Sequence, residues 1–249
     1  MIDYSAAAGV ARITLNRPEK RNAITSEMMT ALSEVLQRGA ADSAVRVLLI
    51  RGAGKDFCAG LDLSEELKSA EDAETSLASA RRLGDLYIAM RRHPKPVISA
   101  VQGRALGGGA GIATASDLIL AAESAQFGYP EVKLGFIPAI VATMLRRAVN
   151  ERQAMELALT GEPLNAPRAY AIGLINCVFP DAEFDSEVER YVAALAESSA
   201  TALSLSKALL YQTDGLSFEA SIEAGVQANV QARTTDDFKR GVERFLKKS

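Results

Sequence analysis

Two glycine-rich stretches are the first candidates for chemistry in this sequence. One spans residues 52–62 and reads GAGKDFCAGLD; the other spans residues 106–111 and reads LGGGAG. Stretches of this kind can hold an anion, because residues without a Cβ leave backbone N–H groups open to a ligand. Both are therefore candidate anion-binding loops.

Neither loop matches the common nucleotide-binding motifs. The first contains Gly-Lys, but Leu49 stands in place of the leading glycine of a P-loop and Asp56 in place of its Ser or Thr. The second has Ile112 in place of the third glycine of a dinucleotide-binding fingerprint. We therefore do not expect a nucleotide triphosphate or a dinucleotide in either loop.

The glycine triplet at residues 107–109 precedes a run of small residues typical of a helix. The first N–H groups of a helix have no internal partner and lie at the positive end of its dipole. A carbonyl oxygen that becomes negative during a reaction would be stabilised there, and losing one such donor typically costs about 3 kcal/mol of barrier. A close-packed turn without a ligand would also explain the triplet, and geometry alone leaves both interpretations open.

Other nucleophilic or metal-binding arrangements are not supported by the residues. A serine triad would need His93, the only histidine, and the sequence contains no Gly-x-Ser-x-Gly elbow. Cys58 and Cys177 are the only cysteines, too few for a cysteine metal cluster or a disulfide framework. We expect a protein without a bound metal.

Strand and helix patterns alternate up to about residue 138, and helices dominate afterwards. Strands are predicted at residues 10–15, 45–50 and 97–101, and helices at about 25–39 and 78–92. After residue 138, seven helical patterns are interrupted by one strand, at residues 174–179. This order predicts an α/β core followed by a helical C-terminal part.

Composition limits the class of protein and of partner. The chain has 249 residues with 28 Lys and Arg against 31 Asp and Glu, a formal net charge of −3. This balance argues against nucleic-acid binding, which usually needs a basic excess. No apolar run approaches the roughly 20 residues of a membrane span, and the N-terminus is not typical of a signal or transit peptide. We expect a cytoplasmic protein with no membrane association.

Several motifs occur in the order found in one enzyme family. They are Leu15-Asn16-Arg17-Pro18 with Asn22-Ala23, residues 57–63, residues 103–109 followed by Ser116-Asp117, residues 127–131 with Leu134-Gly135, residues 171–175, Gly241 and Phe245. On these residues the chain resembles the enoyl-CoA hydratase/isomerase (crotonase) family. The resemblance implies a crotonase-like spiral of ββα units over residues 1–190 and a helical trimerisation region over residues 191–249. It also implies a homotrimer or a dimer of trimers, and an acyl-CoA substrate whose coenzyme A is part of the substrate, with no separate cofactor.

The resemblance also implies the roles of particular residues. The N–H groups of Leu61 and Gly108 would hold the thioester oxygen, and Glu131 would be the acid/base. Burial among Phe127, Tyr129 and Phe136 would raise the pKa of Glu131. The residues expected along the substrate and coenzyme A are Lys20, Arg21, Cys58, Ala59, Gly60, Asp62, Leu63, Gly107, Tyr129, Phe245 and Lys248, the last two as candidates from a neighbouring subunit.

One difference from the family's pattern affects which reaction is expected. Hydratases of the family commonly carry a carboxylate two residues after the triplet, where this chain has Gly111, and a second one 20 residues later, here Glu131. A single carboxylate suits double-bond isomerisation, which needs one base to take a proton and return it elsewhere. It also permits hydration if Glu131 deprotonates water and passes that proton to Cα. The stretch at residues 136–142 resembles a hydratase branch of the family.

We therefore expect hydration of a 2-enoyl-CoA. Δ3,Δ2-enoyl-CoA isomerisation, with Glu131 as the sole proton shuttle, and an acyl-CoA-binding oligomer with little turnover remain as alternatives.

Overall fold

The apolar runs of the sequence form strands of two sheets in the computed structural model, which describes residues 1–247. The strands are β1 (Ile2–Ala7), β2 (Val10–Leu15), β3 (Val47–Gly52), β4 (Val97–Val101), β5 (Arg104–Leu106), β6 (Leu118–Ala122), β7 (Gln126–Gly128), β8 (Leu164–Asn165) and β9 (Cys177–Phe179). Six of them form a sheet in the order β1-β2-β3-β4-β6-β9, and the other three form a small sheet in the order β5-β7-β8. In the larger sheet β1 and β2 are antiparallel and every other pair is parallel.

The helices cover the sheets and form the C-terminal part. They are α1 (Ser26–Ala41), α2 (Leu63–Ser69), α3 (Ala73–Arg92), α4 (Gly108–Ala115), α5 (Ala139–Ala148), α6 (Glu151–Thr160), α7 (Ala166–Ala171), α8 (Phe184–Ala196), α9 (Ala200–Gln212), α10 (Phe218–Arg233) and α11 (Asp236–Leu246). Short 3₁₀ turns occupy Pro18–Lys20, Pro130–Leu134 and Thr213–Gly215. The α/β fold class expected from the sequence is confirmed.

The middle strands occupy the core because both of their faces are apolar. Val97–Val101 is buried at every position, and the first four residues of β3 are buried as well. Strands of this kind suit the middle of a parallel sheet, where both faces are covered. Helix α8 packs against β2, β3 and β6, so it belongs to the layer that covers the sheet. The predicted division at residue 190 falls within α8 and stays a prediction.

A buried ion pair is among the contacts that tie the C-terminal helices to the core. Lys207 of α9 is almost fully buried and its Nζ lies 2.8 Å from Asp117. The same ammonium donates to the carbonyl of Met90 at 3.0 Å, and Tyr211 donates to Asp117 at 2.7 Å. None of the helices within residues 1–247 is long and apolar enough to cross a membrane.

Two loops meet where the smaller sheet begins. Residues 53–62, after β3, run beside β5 and are joined to it through Cys58, whose N–H donates to the carbonyl of Arg104 at 3.0 Å. The N–H of Leu106 returns a bond to the carbonyl of Cys58, also at 3.0 Å. Both glycine-rich stretches are therefore held side by side by backbone hydrogen bonds, and α4 begins at their junction.

The junction depends on Gly109, because a Cβ there would lie 2.4 Å from the carbonyl oxygen of Cys58. We expect Gly109→Ala to lower the free energy of unfolding by about 3 kcal/mol, since backbone must move to relieve the overlap. Urea denaturation would measure this change. The matched control is Gly84→Ala in α3, where a Cβ meets no atom within 4 Å and alanine should be neutral or slightly stabilising. A Gly109→Ala variant as stable as this control would contradict the prediction.

Candidate active site

The backbone N–H groups of Leu61 and Gly108 have no hydrogen-bond partner within residues 1–247 and lie close together. The carbonyl of Gly60 accepts from the N–H of Ile24 at 2.8 Å, so the N–H of Leu61, on the far side of the same trans peptide, points the opposite way. The carbonyl of Gly107 accepts from Gly111 at 2.9 Å, which turns the N–H of Gly108 outward at the start of α4. A Cβ on Gly108 would lie 3.6 Å from the nitrogen of Leu61, so the two amides are neighbours.

Glycine at position 60 permits this arrangement. Its φ is +107°, in a region that side-chain-bearing residues avoid, and a Cβ would lie 3.1 Å from the carbonyl oxygen of Leu106. The resulting turn brings the nitrogen of Gly108 within 3.7 Å of that Cβ position. The two N–H groups form a pair of donors of the kind that can hold one negative oxygen.

The carboxylate of Glu131 lies beside these donors. Its residue belongs to the 3₁₀ turn Pro130–Leu134, and its Oε1 is 3.1 Å from the position a Cβ on Gly107 would take. Its Oε2 is buried and has no hydrogen-bond partner among residues 1–247. Burial raises the pKa of Glu131 above its ordinary value, as expected from the sequence.

The aromatic surroundings of Glu131 differ in part from the expectation. Phe127 and Tyr129 are fully buried, whereas Phe136 is 59% exposed and does not shield the carboxylate. Phe136 follows the αL residue Gly135, which ends the 3₁₀ turn and directs the chain outward. Tyr87, which the sequence did not single out, supplies another buried ring in this cluster and interacts electrostatically with Glu131.

Tyr87 fills the space that a side chain at position 111 would need. A Cβ on Gly111 would lie 2.1 Å from the Tyr87 hydroxyl oxygen and 2.6 Å from a methyl group of Val141. The Tyr87 hydroxyl donates to the carbonyl oxygen of Gly108 at 2.8 Å. Position 111 therefore carries no carboxylate, and the Tyr87 phenol from α3 occupies the space there.

Buried polar side chains form hydrogen bonds to the first glycine-rich loop, residues 52–62. Asn22 donates to the carbonyls of Ala53 and Asp56 at 2.9 and 2.8 Å, and its side-chain oxygen accepts from the N–H of Arg17. The Asp56 carboxylate binds the guanidinium of Arg104 at 2.8 and 3.0 Å, which lowers the pKa of Asp56. The Asn22 contacts satisfy carbonyl groups that the tight turn would otherwise leave without donors, and the Arg104 contact satisfies the Asp56 carboxylate.

Asp62 has a structural role at the end of the loop. Its carboxylate caps α2 by accepting from the N–H of Ser64 at 3.0 Å and pairs with Arg17 at 2.6 Å. Hydrogen bonds from Ser64 and Arg17 hold the pKa of Asp62 far below its usual range. The carboxylate is thus engaged with the protein's own groups.

The remaining residues expected along coenzyme A fall into three groups. Cys58, Gly60 and Gly107 are buried at the junction, and burial raises the pKa of the Cys58 thiol to about 12. Ala59 and Leu63 lie on the same loop at intermediate and exposed positions, respectively.

Lys20 and Arg21 are exposed at the 3₁₀ turn next to this loop, and the carbonyl of Arg21 accepts from Ala59 at 3.0 Å. Phe245 lies apart from them on α11, which packs against α10, and its side chain is largely exposed. Lys248 is outside the described residues.

No group of three or more His, Cys, Asp or Glu residues that could hold a metal ion occurs in the described part of the chain. The chemistry available at the junction consists of two converging N–H donors, the buried carboxylate of Glu131 and the buried phenols of Tyr87 and Tyr129. Such a set can stabilise an oxygen that gains negative charge while a proton moves nearby.

Comparison with known proteins gives a consistent family. The family described as "Enoyl-CoA hydratase/isomerase" matches residues 5–249. A Thermus thermophilus relative, provisionally named an enoyl-CoA hydratase, is 38% identical over 96% of this chain and 95% of its own length. The 1,2-epoxyphenylacetyl-CoA isomerase of Escherichia coli is 33% identical over 96% of this chain and 93% of its own.

Solved structures also match over nearly the whole chain. The human enoyl Coenzyme A hydratase domain-containing protein 3 superimposes with a TM-score of 0.95, at 28% identity, over 99% of this chain and 97% of the other. An enoyl-CoA hydratase from Mycobacterium smegmatis also gives 0.95, at 30% identity, over 99% of this chain and 96% of the other. The resemblance read from the motifs is confirmed, and the chain belongs to the enoyl-CoA hydratase/isomerase family.

Proposed function

We propose that the protein binds an acyl-CoA thioester and stabilises its enolate between the N–H groups of Leu61 and Gly108. The proposal rests on one observation. The buried carboxylate of Glu131, whose Oε2 has no partner within residues 1–247, lies beside Gly107. Gly107 directly precedes Gly108, which supplies one of the two neighbouring N–H donors. An enolate oxygen held by these donors places Cα near the only group of the cluster that can exchange a proton near neutral pH. Glu131 is that group.

The proposed reaction is hydration of a 2-enoyl-CoA. Glu131 takes a proton from water as the water oxygen attacks Cβ, and the electrons of the double bond move onto the thioester oxygen as the enolate forms. Glu131 then returns the same proton to Cα, so one water molecule is added and the carboxylate is regenerated. A relative from Escherichia coli at 32% identity, named 2,3-dehydroadipyl-CoA hydratase, supports this assignment.

Isomerisation of a 3-enoyl-CoA is the second candidate, favoured by Glu131 being the only carboxylate of the cluster. Moving the double bond needs removal of a proton from Cα and its return at Cγ, which one base can perform without water. The isomerase relative from Escherichia coli is consistent with this alternative.

Exposed groups outside the junction suit coenzyme A binding and subunit assembly. Exposed Lys20 and Arg21 lie beside the loop that would follow coenzyme A, where their charges would suit its phosphates. Helices α10 and α11 expose apolar side chains, among them Phe218 at 75% and Phe245 at 72%, and such surfaces are typical of subunit contacts. We propose a homotrimer or a dimer of trimers in the cytoplasm that needs no cofactor, coenzyme A being part of the substrate.

Replacing the carboxylate tests the assignment. We expect Glu131→Gln to lower the rate of hydration of crotonyl-CoA by about 10²- to 10⁴-fold, because an amide cannot accept and return the proton. Loss of the 2-enoyl absorbance measures hydration, and its gain from 3-hexenoyl-CoA measures isomerisation. Glu162→Gln, which alters an exposed glutamate paired with Lys133, is the matched control and should keep wild-type activity.

The two assays separate the candidate functions. Activity of the wild type on crotonyl-CoA alone supports hydration, and activity on 3-hexenoyl-CoA alone supports isomerisation. Turnover that is unchanged in Glu131→Gln would refute the role of Glu131. Binding of acyl-CoA without turnover in any variant would support the acyl-CoA-binding oligomer.

The pH dependence follows from the burial of Glu131. The base must be ionised, and desolvation raises its pKa, so activity should fall as the pH drops through a value above the ordinary 4.5. A profile of kcat/KM against pH should show this acid limb in the wild type and in Glu162→Gln. A limb at or below 4.5 would contradict a desolvated base.

A further inference from the structure

The phenol of Tyr87 is built into the active site by two independent features. Only 1% of Tyr87 is exposed, and its hydroxyl donates to the carbonyl oxygen of Gly108, the residue whose N–H faces the proposed oxyanion. Gly111 lacks the Cβ that would overlap the same hydroxyl oxygen at 2.1 Å. The glycine on α4 and the tyrosine on α3 are therefore complementary, and Tyr87 is near enough to Glu131 to interact with it electrostatically.

The two oxygens lie near glycines at the start of α4. The Oε1 of Glu131 is 3.1 Å from the Cβ position of Gly107, the N-cap of α4, and the Tyr87 hydroxyl oxygen is 2.1 Å from the Cβ position of Gly111. The N–H of Gly111 donates to the carbonyl of Gly107 at 2.9 Å, so the two glycines are about one helical turn, roughly 5.4 Å, apart. One water molecule that donates to two oxygens spans about 5.5 Å, since each O–H···O bond is about 2.7–2.8 Å long.

The hydroxyl of Tyr87 can bind a water in addition to the Gly108 carbonyl. A tyrosine hydroxyl donates one hydrogen bond and can also accept. The Gly108 carbonyl takes its proton, so the hydroxyl oxygen remains free to accept from a water. Burial raises the pKa of Tyr87 well above its ordinary value, so the phenol keeps its proton at any pH at which Glu131 is a base.

We propose that Tyr87 positions the attacking water for hydration, accepting a hydrogen bond from one of its O–H groups while Glu131 accepts from the other. This inference rests on the proposed hydratase function. In the step itself the water loses its proton to Glu131 and its oxygen bonds to Cβ, while Tyr87 neither gains nor loses a proton. Tyr87 thus supplies the second hydrogen bond to the water, because Gly111 has no side chain that could supply it.

The test compares a reaction that consumes water with one that does not. In Tyr87→Phe we expect kcat for hydration of crotonyl-CoA to fall roughly 10- to 100-fold with KM little changed, because the water loses one of its two anchors. Exchange of the Cα hydrogens of butyryl-CoA in D₂O, followed by mass spectrometry, needs only Glu131 and the two N–H donors. It should stay within about twofold of wild type if those groups are undisturbed.

The exchange reaction also reports whether the variant folds and keeps its oxyanion site. Equal loss of exchange and hydration would overturn the proposal, because a merely structural role of the bond to Gly108 predicts it. Unchanged hydration would overturn it as well. The matched control is Tyr211→Phe, which removes a hydrogen-bonded tyrosine hydroxyl outside the site and should leave both reactions unchanged.

Failure of the underlying function gives a different result. A wild-type protein that exchanges Cα hydrogens but does not hydrate would overturn hydration and the role of Tyr87 together, leaving enolate formation intact. A wild-type protein that does neither would overturn the enolate chemistry itself. In every arm Glu131→Gln serves as the reference for lost proton transfer.

Discussion

The close approach of two backbone segments is the constraint on which the rest of this structure depends. For the N–H groups of Leu61 and Gly108 to face one oxygen, the loop after β3 and the start of α4 must touch without side chains between them. Gly60 and Gly109 make this contact possible, because a Cβ at either position would approach a carbonyl oxygen within 3.1 or 2.4 Å. Backbone bonds between Cys58 and β5 then hold the segments at that distance.

Such a junction leaves buried polar groups that must be satisfied elsewhere. A buried group without a partner costs about 1–3 kcal/mol, so a fold can leave only a few unsatisfied. Asn22 and the Asp56–Arg104 pair satisfy groups on the rear of the loop. Within residues 1–247, the buried side-chain atoms left without partners include the Oε2 of Glu131 and the hydroxyl of Tyr129 at the site, and the Tyr4 hydroxyl and the Gln102 Oε1 elsewhere. The site therefore holds two buried polar atoms that the surrounding fold does not satisfy.

Much of this arrangement could be predicted from the sequence, since its signals are local. The strands Val10–Leu15 and Val97–Val101 have the predicted bounds. Continuous apolar runs and helical spacing with capping residues act over a few positions, so tertiary context did not alter them. The two glycine-rich loops were recognised for the same reason, because a missing Cβ is visible in the sequence.

What could not be predicted depends on contacts between distant segments. Helix α2 has no buried residue, so no apolar periodicity marks it. Tyr87 is spaced with Leu83 and Met90 on the buried face of α3, a pattern that predicts burial but not what the hydroxyl meets. The sequence shows only that position 111 has no side chain. The packing of α3 on α4 shows that the missing side chain leaves room for the Tyr87 phenol.

The exchange of a carboxylate for a phenol changes the electrostatics of the whole site. A second carboxylate near Glu131 would raise its pKa by like-charge repulsion in addition to desolvation, and the two groups would divide the roles of acid and base. With a neutral phenol in that place, desolvation is the main cause of the raised pKa of Glu131, and no repulsive partner competes for the proton. The carboxylate is then free to be ionised when substrate binds and protonated after it has taken the proton. One group can therefore perform both halves of a proton transfer, and the neutral phenol beside it adds no negative charge that would oppose the enolate.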